Sequence, residues 1–198
     1  YIYVEQPSIG GVLRMDVVDC NPSSRVSIAS IGPVAGISSS IAYSPGADMV
    51  YLANEAGPTL LHKWNPVTQL YTTNTGLNVG AKGVQVFSIR VLDLILINAD
   101  NGHLYIIDPN NADALVADII FGGGLALVQP EYNDCTGHVY LCSKTSFSQP
   151  QIFDPSAAWA ALGAVPGVGT DEGYVQKFDK YGNRLFTHAR ATGIVHTY

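Results

Sequence analysis

Apolar residues in this chain recur in short strand-like runs with a polar end. Three runs share one form: Val50-Tyr-Leu-Ala-Asn54, Leu94-Ile-Leu-Ile-Asn98 and His138-Val-Tyr-Leu-Cys142, whose starts lie 44 and 44 residues apart. Tyr1-Ile-Tyr-Val-Glu5 and Arg184-Leu-Phe-Thr-His188 fit the same role at either end. A second marker keeps nearly the same period. Asx-Pro pairs stand at Asn21-Pro22, Asn65-Pro66, Asp108-Pro109 and Asp154-Pro155, with prolines 44, 43 and 46 residues apart. Ile, Val, Tyr and Thr dominate the runs, and their β-branched or aromatic side chains suit a pleated surface.

Within one copy the pattern reads strand, turn, strand, turn. Residues 38–43 lead through Ser44-Pro-Gly-Ala-Asp48 into 49–54; 60–64 follows, then Asn65-Pro66, then 69–73. Helical periodicity is nearly absent, and residues 157–162, AAWAAL, are the one stretch of helix-forming composition. The prediction is an all-β chain of eighteen strands. Three precede Ile31, four fall in each of three central copies, and three follow Gly173. Four antiparallel strands every 40 to 50 residues mark a β-propeller, in which each blade buries its faces against its neighbours. The expected organisation is one domain, 1–198, with blade-like repeats at 1–31, 38–74, 84–121, 124–165 and 173–198. That is about four and a half blades, a partial or unusually small propeller, read as part of a longer chain because the spacing places another Asx-Pro just past Tyr198. A sandwich would not repeat its turn every 44 residues; a Greek-key barrel with coincidental spacing is the remaining alternative.

Residues 41–74, IAYSPGADMVYLANEAGPTLLHKWNPVTQLYTTN, resemble the repeat of YVTN-type, quinoprotein-like β-propellers, with a Ser-Pro-x-Gly-like turn before a Val-Tyr-Val-x-Asn strand. Val50 to Asn54 is the closest match, and residues 96–119 look like the same repeat with a tighter second hairpin. The resemblance covers about four fifths of the chain. It implies architecture and no particular chemistry.

Composition narrows the partners. Charged residues make up only 13% and apolar residues 47%, against roughly 25% charged in an average soluble domain. Ten basic and sixteen acidic residues give a net charge of −6 and form no basic stripe, which argues against nucleic acid or anionic lipid. The longest apolar runs, such as 92–97, fall far short of a bilayer span of about 20 residues, so no membrane insertion is expected. The weakly charged surface suits an extracellular or cell-surface location. Cys20, Cys135 and Cys142 show no CxxC spacing for zinc or redox work.

Candidate chemistry is sparse. In the pairs Asn21-Pro22, Asn65-Pro66, Asp108-Pro109 and Asp154-Pro155, the Asx side chain accepts a hydrogen bond two residues on while proline presets the next φ. Because Asn alternates with Asp, ionisation is not what the position requires, and these eight residues read as structural turns. Asn98-Ala-Asp-Asn-Gly102 has a passing likeness to a calcium loop but lacks the downstream Glu; a hairpin turn is the plainer reading. His62, His103, His138, His188 and His196 have no zinc spacing, though His103 and His138 both follow a Gly at a strand start, as if in a repeated slot. Ser44 belongs to a turn, and no GxSxG elbow is present. Gly122-Gly-Gly124 precedes no helix, so a phosphate loop is not expected. Tyr51, Trp64, Tyr105, Tyr140 and Trp159 read as packing groups. No cofactor motif is found.

The expectation is therefore a non-catalytic binding or structural module in an extracellular or surface assembly, meeting protein partners or other copies of itself through strand edges and loops. The alternative is a propeller enzyme of lyase, hydrolase or quinoprotein type, whose residues converge from several blades on a central channel.

Overall fold

The computed structural model describes residues 2–6, 12–18, 27–35, 37–54, 59–68, 70–120, 130–142, 149–166, 175–179, 184–188 and 193–198. Eighteen strands occur among them, in five antiparallel sheets of three, four, four, four and three strands. The first sheet holds β1 (Ile2–Gln6), β2 (Val12–Val18) and β3 (Ser27–Ala35). The second holds β4 (Ile37–Ser44), β5 (Met49–Asn54), β6 (Thr59–Trp64) and β7 (Tyr71–Asn78), and the third β8 (Gly83–Ile89), β9 (Leu94–Ala99), β10 (His103–Asp108) and β11 (Ala114–Ile120). The fourth holds β12 (Glu131–Asn133), β13 (His138–Leu141), β14 (Gln151–Asp154) and β15 (Ala160–Ala164), and the fifth β16 (Val175–Asp179), β17 (Arg184–His188) and β18 (Val195–Thr197). Every sheet runs in sequence order, so each strand is joined to its neighbour by a hairpin. This is the meander that the 44-residue period predicts.

Burial explains why the marker runs read as nearly continuous apolar stretches instead of alternating ones. In the second and third sheets the middle strands have both faces covered: five of six residues of β5 and of β9, and the four central residues of β10, are buried. Outermost strands differ, with β11 and β15 largely exposed. Register is set in the usual antiparallel way, with Tyr51 facing Ala42 on one side and Lys63 on the other.

Residues 157–162 do not form a helix. Pro155–Ala157 make a single 3-10 turn, Ala158 and Trp159 take left-handed φ values of 52° and 61°, and strand β15 begins at Ala160. Alanine's helix propensity is worth only a few tenths of a kcal/mol per residue over ordinary residues, which a six-residue stretch cannot convert into a nucleus. Burying Trp159, 4% exposed, decides the local conformation.

The chain forms two compact units, one of Tyr1–Asn101 with Asp108–Ala114 and one of Gly102–Ile107 with Leu115–Tyr198. In the first, β4 packs against β8 and β5, and Val50, Leu52, Leu61 and Ile95 to Ile97 are 0 to 1% exposed. In the second, Tyr140, Val165 and Leu185 form a buried cluster with Ile152, Phe178 and Tyr198 packed on it.

Candidate functional site

Each described Asx-Pro pair lies at the junction of the third and fourth strands of its sheet. Asn65 Oδ1 accepts from the Val67 and Thr68 backbone N–H groups at 2.9 Å each. Asp108 Oδ1 accepts from Asn110 N at 2.9 Å, and Asp154 Oδ1 from Ser156 N at 2.9 Å and Ser156 Oγ at 2.6 Å. The Ser156 hydroxyl, with the backbone N–H groups behind it, holds the Asp154 carboxyl below its usual range. In the last two pairs proline opens a 3-10 turn that the Asx side chain caps. Asn65 does with an amide oxygen what the aspartates do with a carboxylate, so the geometry makes no use of the charge. Asn21 and Pro22 lie outside the described residues, as do Cys20 and Gly122 to Gly124.

Three carboxylates that the sequence reading did not single out carry more of the structure. Asp93 stands just before β9 with φ 49°, in the place that Asp48 (φ 49°) and Gly137 (φ 74°) hold before β5 and β13. Asp, Asn and Gly are the residues that tolerate this left-handed region. Asp93 Oδ1 accepts from Ser44 Oγ at 2.8 Å; its Oδ2 accepts from Gly46 N at 2.9 Å and Asn110 Nδ2 at 2.8 Å. Ser44 Oγ in turn accepts from Ala47 N at 3.2 Å. Three turns from two successive sheets are thereby tied to one carboxylate. Gly46 is required by the tie: a Cβ there would lie 2.1 Å from Asp93 Oδ2 and 2.6 Å from Asn110 Oδ1.

Asp113 forms the second junction. It is 7% exposed, with φ 58° directly after Ala112 at φ 50°. Tyr51 Oη donates to its Oδ1 at 2.6 Å, and Lys63 Nζ donates to its Oδ2. Burial, and then the hydrogen bond to Asp113, push the Tyr51 phenol far above its ordinary pKa. Such a phenol is a hydrogen-bond donor and a poor base or nucleophile, since either role needs the oxygen to shed its proton.

The third lies between inner strands of the second unit. Glu131, 8% exposed, accepts from Lys177 Nζ at 2.6 Å and Phe178 N at 3.3 Å, and Tyr140 tilts against Phe178 with ring centroids 4.8 Å apart. In the first unit a neutral version joins β4 to β8, where Ser40 Oγ donates to Val86 O at 2.7 Å and accepts from Val86 N at 2.8 Å. A side chain on one inner strand thus satisfies backbone groups on the next, which the twist of separate sheets leaves without a ladder partner.

The remaining sequence candidates fall into the core or into turns. Tyr51, Trp64, Tyr105, Tyr140 and Trp159 are all buried. Of the stretch Asn98 to Gly102, Asn98 and Ala99 end strand β9 and Asp100 to Gly102 make the β9–β10 hairpin turn, where Asp100 Oδ1 accepts from Lys82 N at 2.9 Å. Among the described residues no group of three or more His, Cys, Asp or Glu could hold a metal ion. His103 and His138 do not share a slot, because His103 opens the third strand of its sheet and His138 the second. His103 Nδ1 meets Asp118 Oδ1 at 2.7 Å, while His62 is buried and burial lowers its pKa. Cys135 is exposed and Cys142 is buried.

A repeat alignment held one signal for these junctions. Counting five residues on from the Asx of each Asx-Pro pair aligns Leu70, Asp113 and Trp159, so a carboxylate occupies a place held elsewhere by large apolar groups. Its partners Tyr51 and Lys63, on another sheet, left no local trace.

No family model and no curated protein matches the sequence. Solved structures do. The computationally designed protein Ika8 gives a TM-score of 0.63 at 12% identity, over 98% of this chain and 57% of that one. The designed protein Ika4 gives 0.59 at 12% identity, over 84% of this chain and 92% of that one. A chain of the nidogen/laminin complex gives 0.58 at 10% identity, over 99% of this chain and 72% of that one. At such identities the likeness concerns the fold alone. Together with the five meander sheets, it gives this chain the β-propeller fold.

Proposed function

We propose that this chain is a non-catalytic binding or structural module built of YVTN-type propeller repeats, acting in an extracellular or surface assembly through its strand edges and loops. The observation that carries this reading is the contrast between its carboxylates and its outer strands. Asp93, Asp113 and Glu131 are engaged in ties between sheets and offer no acid or base to a substrate. On β11, the edge strand of its sheet, Leu115, Val116 and Ile120 are 47, 46 and 77% exposed, and Leu162 on the edge strand β15 is 53% exposed. Edge strands bearing exposed apolar groups pair readily with other extended segments unless charge or cover prevents it. The structural likeness to a chain solved in a nidogen/laminin complex, an assembly of proteins by its name, is in keeping with a protein partner.

Native mass spectrometry and light scattering on the purified chain test the proposal. Association with itself or with partner chains is expected, and a Val116→Lys, Ile120→Lys variant should reduce it at unchanged circular dichroism. A monomer that turns over a substrate at propeller-enzyme rates would overturn it.

A further inference from the structure

The two equivalent turns that lead into the outer strands of the third and fourth sheets have the same backbone and different fastenings. After Asp108-Pro109, Ala112 and Asp113 take φ values of 50° and 58°; after Asp154-Pro155, Ala158 and Trp159 take 52° and 61°. Two consecutive left-handed residues with a Cβ are strained, since L-residues visit this region singly and at a cost. Each turn carries its own Asx cap, but that cap reaches only two residues on and leaves the left-handed pair to be held by something else. At 154–159 the buried Trp159 side chain supplies the compensation, a term that ordinary salt does not weaken. At 108–113 the left-handed pair is held by Tyr51 Oη and Lys63 Nζ on the Asp113 carboxylate, beside the bond from Asn110 Nδ2 to Asp93, so every fastening of this turn is polar or charged.

We propose that the turn 108–113 is a charge-held latch, which opens to release the outer strand β11 independently of the matching apolar-held turn 154–159. The groups that face Asp113 give the latch its sensitivity. Lys63 supplies the countercharge, and its side chain is 23% exposed, so mobile ions reach it. Asp93 and Asp108 act with Asp113 on the Tyr51 phenol, all in the direction of negative potential. Removing the Lys63 charge therefore leaves a strained turn among like charges. Opening bares the paired edge of β10 and frees Leu115 and Val116. For its biological use the latch rests on the edge-binding reading above; the latch itself is tested with no partner present.

Hydrogen-exchange mass spectrometry on the whole chain compares the 108–120 and 154–164 segments within one sample. Lys63→Met should lower protection of 108–120 by about tenfold or more, as loss of one hydrogen bond to a charged group would, and leave 154–164 unchanged. Raising NaCl to about 0.5 M should act in the same direction on wild type, and Trp159→Ala should invert the pattern. Asp113→Asn, which keeps the shape and removes the charge, guards against a misfolded Lys63 variant. Unchanged protection of 108–120 in both variants, or equal loss in both segments, overturns the latch. Failure of the chain to associate would count against the edge-binding reading and leave the latch standing.

Discussion

Gly46→Ala probes the turn tie directly. Gly46 does not have a left-handed φ, so alanine meets no backbone penalty and the effect is steric. The added Cβ would lie 2.1 Å from Asp93 Oδ2 and 2.6 Å from Asn110 Oδ1, against an ordinary carbon contact of about 3.5 to 4.0 Å. Asp93 must withdraw by more than 1 Å by this comparison. That motion breaks or stretches the bonds from Gly46 N at 2.9 Å and Asn110 Nδ2 at 2.8 Å and strains the one from Ser44 Oγ at 2.8 Å. A hydrogen bond to a charged group contributes about 1.5 to 3 kcal/mol. The tie is partly exposed, and water takes up part of the loss, so a net cost of about 2 to 3 kcal/mol is expected. Urea denaturation would show it as a midpoint lowered by about 0.7 to 3 M, for an m-value of about 1 to 3 kcal/mol/M. The control is Asp93→Gly, which removes the carboxylate and suits the left-handed φ of 49°. In that background Gly46→Ala should cost under about 0.5 kcal/mol, because the carboxylate is gone and the Asn110 amide, no longer held by it, can swing away from the new Cβ. Equal costs in both backgrounds would refute the argument.

Three further outcomes follow from the same geometry. Asp108→Asn should change stability by less than about 0.5 kcal/mol, since Asn65 makes the same turn, whereas Asp108→Ala should lose about 1 kcal/mol of capping energy in thermal melts. Tyr51, whose pKa is raised by burial and by Asp113, stays protonated in the folded chain when unfolded tyrosine ionises near 10. The unfolded state then binds fewer protons, and stability falls above pH 10 by up to about 1.4 kcal/mol per pH unit; alkaline melts of Tyr51→Phe should lack this component. His62, whose pKa is lowered by burial, is kept neutral in the fold, so the unfolded chain binds the extra proton below pH 6.5 and stability is lost as pH falls from there. Denaturation at pH 7 and pH 5 should show that slope in wild type and not in His62→Gln.

Strands and turns were legible because their causes are local. The Asx caps reach from residue i to i+2, as at Asp108 to Asn110 and Asp154 to Ser156, and the marker runs declare buried middle strands by their own composition. A period in such local signals is enough to specify five meander sheets. The stretch 157–162 shows the complement, since its composition favours a helix but its conformation follows from burying Trp159, a tertiary event.

What joins one sheet to the next was decided only by the tertiary structure. Ser44 and Asp93 are 49 residues apart, Lys63 and Asp113 50, and Tyr51 and Asp113 62. No short-range pattern announces such pairs, because a carboxylate looks the same in sequence whether it faces water or a lysine from the preceding repeat. The sequence by itself determined the repeating unit, through side-chain period and turn chemistry acting over a few residues. Which charges are buried, and which turn is held by a salt bridge and which by a tryptophan, depended on how successive units pack.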